Sequence, residues 1–370
     1  MTHEHGVAGI DPHKNTATIA VLDHRGGVVD NKSFPITEDG IDELLTFLLG
    51  VELTIDRIGI EGSGFLGRPL VLALAAAGYD VREVQANRTA DRRKRRRRAK
   101  TDAEDAEAIA REALSDPELP PAGKYTAPSP AWQTLTVIRD WRESLVLQRV
   151  RLLTESEAVL VTLPLSIRAT LPSTSRVLPQ LQSLVDGVAN PDLFGPVERL
   201  KLDRLAASLS DIITLTARIK ELDRQIPALL SDLGCTLTEI RGVGVVTAMD
   251  LLVEIGDPCR FTTEAQFARW CGIAPVALSS GEGHGPARRH RLDLGGNRAV
   301  NSVLHIVHVT QVRCHPPAKE YMAKRVADNK TKREARRSHK RQLANIIIRH
   351  MWTDARRSTT TTPTSFAAAA

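Results

Sequence analysis

The chain has 370 residues, of which 42% are apolar and only 4% aromatic, with a net charge of +6. That apolar share can bury two or three cores, while so few aromatics exclude a binder that relies on stacking single-stranded bases. Four scattered cysteines with no C-x-x-C pair fit neither a zinc site nor a disulfide framework and point to a reducing cytosol. The opening residues lack a signal-peptide pattern, and the longest apolar stretch, Leu70 to Ala77, is too short to span a membrane.

In chain order, residues 7–10, Ala17 to Leu22 and Gly27 to Ile36 read as three strands separated by turns. Ile41 to Leu49 has helical spacing, Ile55 to Ile60 reads as a buried-type strand, and Leu66 to Ala77 as a helix closed by Gly78. A short strand at Val81 to Val84 precedes a helix from Thr101 to Leu114, with Thr101 as N-cap and Glu104 as its capping-box partner. Three consecutive strands followed by alternating helix and strand predict a mixed α/β sheet flanked by helices. Asp116 to Pro130 is rich in proline and reads as a linker. Trp132 to Leu160 and Leu200 to Leu230 are long helical patterns. In the second, Leu205, Leu209, Ile212, Leu215, Ile219, Leu222 and Ile226 recur at threes and fours. The pair could form an antiparallel hairpin or coiled-coil arm that joins subunits, or be ordinary core helices. Residues 237–254 place Gly242-Val243-Gly244 between two apolar segments, a helix-hairpin-helix pattern whose turn amides contact a nucleic-acid backbone without reading sequence. The Thr- and Ala-rich tail after Ser358 reads as disordered. The expected organisation is an α/β domain over 1–122, a linker and helical arm over 123–232, a mostly α-helical C-terminal domain over 233–355, and a tail over 356–370.

The chemistry is concentrated in four carboxylates. Asp11 ends the apolar run Val7-Ala8-Gly9-Ile10, and Glu61 ends Ile58-Gly59-Ile60. Asp102 and Asp105 stand three apart on a predicted helix, so they share one face. If the two strands are neighbours, all four acids can converge on a pair of divalent ions, Mg2+ or Mn2+, that act on a phosphodiester. Taken singly, Asp11 and Glu61 could each be a turn cap. Just upstream of the acidic helix lies the run Arg92, Arg93, Lys94, Arg95, Arg96, Arg97 and Arg98, with Lys100 beyond it. This run carries seven positive charges, so the rest of the chain is net −1: the basicity is local, as in a nucleic-acid contact. A localisation signal or a self-repelling solvated tract is the competing reading. A third constellation is the Gly/Ser-rich loop with Ser279, Ser280 and Gly281, followed by Arg288, Arg289, His290 and Arg291. A serine nucleophile with phosphate clamps has this composition, but no adjacent base is evident, and chemistry alone leaves it a plain loop.

The ordered set Gly9-Ile10-Asp11-Pro12-His13-Lys14, Ile60-Glu61-Gly62, Lys100-Thr101-Asp102-Ala103-Glu104-Asp105-Ala106, Gly272-Ile273-Ala274-Pro275, Ser280-Gly281 and Gly296-Asn297-Arg298 resembles the DEDD transposases of bridge-RNA-guided insertion sequences, over residues 7 to about 310. The resemblance implies an RNase H-like, RuvC-like N-terminal domain in which Asp11, Glu61, Asp102 and Asp105 hold magnesium or manganese. It implies a C-terminal domain in which Ser280, with Ser279 as alternative, attacks a DNA phosphodiester and forms a phosphoserine link, the carboxylate site supplying the missing base across subunits. Gly242, Gly244, Arg288, Arg289, Arg291, Arg298 and the basic run would contact nucleic acid. The implied partners are target and donor DNA, a structured noncoding guide RNA that supplies sequence by base pairing, and further copies of the chain as a dimer or tetramer, in the cytoplasm of a bacterial-type cell at its nucleoid. The chain departs from the family at Asn301, where an arginine often follows Gly-Asn-Arg-x-x, and at the longer loop around His284. The rivals are a hydrolytic Holliday-junction resolvase using only the four acids, a non-catalytic nucleic-acid-binding protein, and an actin-like phosphotransferase. The basic run and the lack of a second glycine-rich phosphate loop oppose the last.

Overall fold

The computed structural model describes residues 4–64, 66–85, 101–123, 129–187, 194–277, 290–292 and 296–361. They fall into two compact units, one formed by 1–128 together with 234–370, the other by 129–233.

The first unit is built on a five-stranded sheet. Strands β1 (Glu4–Pro12), β2 (Thr16–Asp23) and β3 (Val28–Pro35) form an antiparallel meander. After α1 (Glu38–Gly50), β4 (Leu53–Ile60) runs parallel to β1, and after α2 (Arg68–Ala76), β5 (Val81–Glu83) runs parallel to β4. The order is β3-β2-β1-β4-β5. The meander arises because short turns can join only antiparallel neighbours, whereas the returns to β4 and β5 are parallel and need crossover helices. One sheet face buries Ala8, Ile10, Ile19, Ile58 and Ile60 under Leu44, Leu48, Leu70 and Leu74 of α1 and α2. Since side chains alternate along a strand, Val7, Gly9 and Asp11 of β1 face the other way, as do Gly59 and Glu61 beside β4.

That second face is covered by α3 (Asp102–Ser115), capped as predicted: Thr101 Oγ1 accepts from Glu104 N at 3.3 Å. Gly9 and Gly59 are register partners on β1 and β4. A Cβ on Gly9 would sit 2.1 Å from Ala110 N and 2.4 Å from Ala106 O, and one on Gly59 would sit 3.0 Å from Ala113 Cβ. Two facing glycines and the alanine face of α3 thus let the helix backbone lie directly on the sheet.

Residues 116–123 are not the linker that their prolines suggest. Leu119 and Ala122 are buried, Glu83 N donates to Pro120 O, and Ala122 N donates to Val81 O, both at 2.8 Å. A proline removes a donor but keeps its carbonyl, so this strip still pairs with the β5 edge.

The C-terminal part of the same unit is mostly helical: α8 (Val245–Ile255), α9 (Glu264–Trp270), α10 (Arg298–Cys314), α11 (Pro316–Ala327) and α12 (Lys332–Thr361), with a two-stranded hairpin of β6 (Pro275–Ala277) and β7 (His290–Leu292). It docks on the β5 edge through Arg260, whose buried guanidinium meets Glu83 Oε2 at 2.8 Å and Gly123 O at 3.1 Å. Arg269 pairs with Asp116 at 3.0 Å. The helix-hairpin-helix expectation is corrected: before Gly242 there is one 3-10 turn, Leu237–Glu239, and only the segment after Gly244 is an α-helix. Thr236, directly before this turn, donates to Asp354 of α12 at 2.8 and 2.9 Å, which fastens the start of the turn to a distant helix. The predicted tail also begins later than composition suggests, since α12 continues to Thr361.

The second unit, 129–233, holds α4 (Pro130–Leu160), α5 (Leu165–Arg168), α6 (Val177–Gly187) and α7 (Pro196–Asp232). Arg142 meets Asp223 at 2.5 Å and Glu155 lies 3.7 Å from Arg204, so α4 and α7 run antiparallel. The seven residues read from the periodicity of α7 are all buried, Leu205, Leu209 and Ile212 of them packed with α6 through Leu181 and Leu184.

In the C-terminal core His308 and His339 lie Nδ1 to Nδ1 at 3.0 Å. Burial, then the neighbouring His339 and His305, hold His308 down to about 4, and burial lowers His339. The folded pair stays neutral while unfolded histidines take up protons near pH 6.5. Its stability contribution is therefore complete above that pH and is lost as pH falls toward 4.

Two measurements test this packing. Gly9→Ala is expected to lower stability by about 1–3 kcal/mol in urea unfolding, because α3 must lift off the sheet. The urea midpoint should fall between pH 7 and pH 5, and His308→Leu should flatten that fall.

Candidate functional site

The parallel pairing of β1 and β4 sets the site. Ile10 is the register partner of Ile60, and Glu61 N donates to Ile10 O at 3.4 Å. Asp11 and Glu61 therefore occupy equivalent positions at the carboxyl ends of two adjacent strands and on the α3 face. Gly62 adopts a φ of +63°, open to glycine at low cost, and turns the chain away directly after Glu61. The antiparallel packing of α3 on β1, fixed at Gly9, brings its N-terminus to the same sheet edge. Asp102 is the first residue of that helix, and Asp105, one turn on, is buried.

The structure adds a residue that motif reading passed over. His13 Nε2 lies 3.4 Å from Asp11 Oδ2 and 3.2 Å from Asp102 Oδ1. Ligand atoms of Asp11, His13 and Asp102 all fall within 4.8 Å of one another. Nε2 is shielded from solvent yet makes no hydrogen bond among the described residues. A buried ring nitrogen without a hydrogen bond, aimed between two carboxylates, is what a divalent cation would satisfy, so the donor set fits a metal. The signal for His13 was present: it stands two residues after Asp11, and His13 N donates to Thr16 O at 2.7 Å, folding the β1–β2 turn back over the strand end.

The C-terminal motifs also converge. Gly272, with φ +68°, and Gly296 touch backbone to backbone: a Cβ on Gly296 would lie 2.0 Å from Gly272 Cα. Asn297 N donates to Trp270 O at 2.7 Å, Asn297 Oδ1 caps α10 through Val300 N at 2.9 Å, and its amide donates to Glu254 at 2.7 Å. Gly272-Ile273-Ala274-Pro275 and Gly296-Asn297-Arg298 are thus one clasp, with Arg298 exposed at the start of α10. Asn301, where the family often has arginine, donates to Cys271 O at 3.1 Å and accepts from Lys340. Above the clasp, β6 and β7 pair with Ala277 opposite His290. The loop carrying Ser279, Ser280, Arg288 and Arg289 lies outside the described residues, as do Arg92, Arg93, Lys94, Arg95, Arg96, Arg97, Arg98 and Lys100; Arg291 is the β7 partner of Val276. Gly242 has φ +87° and packs against α10, where Gln311 donates to Arg241 O at 2.6 Å. Gly244 is exposed, with open space at its Cβ position.

Manganese titration by calorimetry checks the metal reading: Asp11→Asn and Asp102→Asn should each weaken binding at least about tenfold, and His13→Ala by a comparable factor.

Comparison with known proteins gives two family matches. Residues 8–163 match the model described as "Transposase" of the DEDD IS110 type, and residues 235–323 match "Transposase IS116/IS110/IS902 family". A Streptomyces coelicolor protein named "Insertion element IS110 uncharacterized 43.6 kDa protein" is 33% identical over 151 residues, 40% of this chain and 36% of its own length. A Pseudomonas aeruginosa protein named "Probable family 20 transposase" is 29% identical over 217 residues, 58% of this chain and 60% of its own length. The chain therefore spans less than two thirds of either relative. The first match contains Asp11, Glu61, Asp102 and Asp105 and the second contains the clasp, and from both together the chain belongs to the IS110-type DEDD transposases of insertion elements.

Proposed function

We propose that this protein cuts and rejoins DNA in the transposition of an insertion sequence. The observation that carries this reading is the meeting of Asp11, His13 and Asp102 at one sheet edge, with Glu61 directly after the Ile10–Ile60 register pair. The β3-β2-β1-β4-β5 order, an antiparallel meander extended by two parallel strands, supports assigning the first domain to the RNase H-like, RuvC-like class. Asp11, Glu61, Asp102 and Asp105, with His13, would hold Mg2+ or Mn2+. Such ions lower the pKa of a bound hydroxyl and stabilise charge at a phosphodiester. Both acids stand on the first turn of α3, Asp105 buried and Asp102 exposed. Ser280, with Ser279 as the alternative, would attack the DNA phosphodiester through its Oγ, forming a phosphoserine as one P–O bond to deoxyribose breaks and that sugar oxygen leaves as a hydroxyl, the serine proton having been removed. Arg288, Arg289 and Arg298 would clamp flanking phosphates, and the run Arg92 to Arg98 with Lys100 would hold the backbone.

The reading includes a structured noncoding guide RNA that selects target and donor DNA by pairing, and a dimer or tetramer in which the carboxylate site of one copy serves the serine of another. The antiparallel α4–α7 pair supports a subunit-pairing arm of coiled-coil type. No helix of the described residues is long and apolar enough to cross a membrane.

Covalent trapping tests this function. The protein is incubated with its element-end DNA, the adjacent noncoding RNA and Mg2+, then denatured. A protein–DNA adduct is expected that disappears in Ser280→Ala and in Asp102→Asn. Cleavage without an adduct would instead support the hydrolytic resolvase, and DNA processing untouched by Asp102→Asn would remove the catalytic role of the carboxylates.

A further inference from the structure

The described C-terminal helices enclose a cleft of about 610 Å³ between α10 and α12. Arg333, Arg336, Arg337 and Lys340 line it from α12, facing Asn301 and Ser302 of α10. The four cations stand at i, i+3, i+4 and i+7, one face of the helix. Arg333 with Arg337 and Arg336 with Lys340 are like-charge pairs at i,i+4, an arrangement that weakens a helix. No carboxylate lines the cleft among the described residues, and the one acid within the stripe, Glu334, is engaged by Thr331 N and Oγ1 at 2.8 Å. Lys340 is buried, and two of its three N–H donors go to Asn301. Burial, then Arg336, hold Lys340 down to about 8, and the cations Lys340 and Arg336 help burial lower His305. A helix face that concentrates positive charge at a cost to its own stability is organised for an anion.

The wall opposite the stripe includes Ile273, in the Gly272-Ile273-Ala274-Pro275 segment that leads into the serine loop. From Arg333 to Lys340 the stripe extends about 10 Å along the helix axis, the reach of two or three successive phosphates of one strand. Arginines dominate it, and their forked donors suit phosphate oxygens. We propose that this cleft is a binding site for the phosphodiester backbone of a nucleic-acid strand, held against Ile273, Asn301 and Ser302 by Arg333, Arg336, Arg337 and Lys340. The assignment rests on the transposase reading for its ligand class.

The test uses the full-length chain, with Lys340 left intact because it is buried. Binding of a fluorescent 40-base-pair duplex DNA of arbitrary sequence and of an RNA hairpin is measured by anisotropy across a salt series, without divalent metal. Arg333→Gln/Arg336→Gln should weaken binding of at least one probe about tenfold or more and reduce its salt slope by about two. The probe affected identifies the strand as DNA or RNA. With no nucleic acid present, the double variant should melt at or above the wild-type temperature, because like-charge repulsion is relieved. Unchanged affinity and slope for both probes, with wild type binding normally, would overturn the cleft and leave the transposase reading standing. A lowered melting temperature would make the stripe structural and also overturn it. Wild type that binds neither probe would overturn both.

Discussion

The carboxylate site depends on how closely α3 can lie against the sheet. Gly9 and Gly59 face each other across β1 and β4, and Ala106, Ala110 and Ala113 meet them from the helix. Side chains of ordinary size at these positions would hold the helix off the sheet, since a Cβ on Gly9 already falls within the helix backbone. Two missing Cβ atoms bring it nearer, so that Asp102 at its N-terminus reaches Asp11 and His13. The helix start contributes as well: its dipole favours carboxylates in the first turn, where Asp102, Glu104 and Asp105 stand. The small residues thus serve a purpose different from core filling, since they set the distance between two acid-bearing elements.

A second constraint joins this site to the C-terminal part. Arg260 is buried against the edge of the sheet, paired with Glu83 on β5 and with the carbonyl of Gly123, while its guanidinium lies 4.9 and 5.2 Å from the rings of Phe261 and Trp270. Trp270 in turn accepts from Asn297 and from Gln85. One short path therefore runs from the β5 edge through Arg260 and Trp270 to the clasp of Gly272 and Gly296, from which the β6–β7 hairpin departs. A buried charge is costly unless paired and hydrogen-bonded, and here both partners come from the sheet domain, so this docking has one geometry. Asn301 fits the same logic: where an arginine would reach outward, the shorter amide ties Cys271 and Gly272 to Lys340 and closes the clasp onto α12.

Much of this was legible in the sequence. The three-strand opening, the capped helix at Thr101 and the buried stripe of α7 follow from period and capping, which are local properties. The reading failed where a local pattern was overruled by distant partners. Prolines at 117, 120 and 121 signal a linker, yet the carbonyl of Pro120 completes the β5 edge. The apolar segment before Gly242 looked helical, but the chain there is a single 3-10 turn fastened to α12 through Thr236 and Asp354.

The sequence by itself determined which residues could act, because acid identity, strand alternation and i,i+3 spacing are written in neighbouring positions. Only the tertiary structure decided which of them meet. The parallel pairing of β1 with β4 crosses about fifty residues of chain, and the approach of α3 crosses nearly a hundred. His13 acquires meaning only when Asp102 arrives beside it, and the cationic face of α12 only when α10 forms the opposite wall. These are distances between segments far apart in sequence, set by packing at glycines and by buried charge pairs, and no local pattern encodes them.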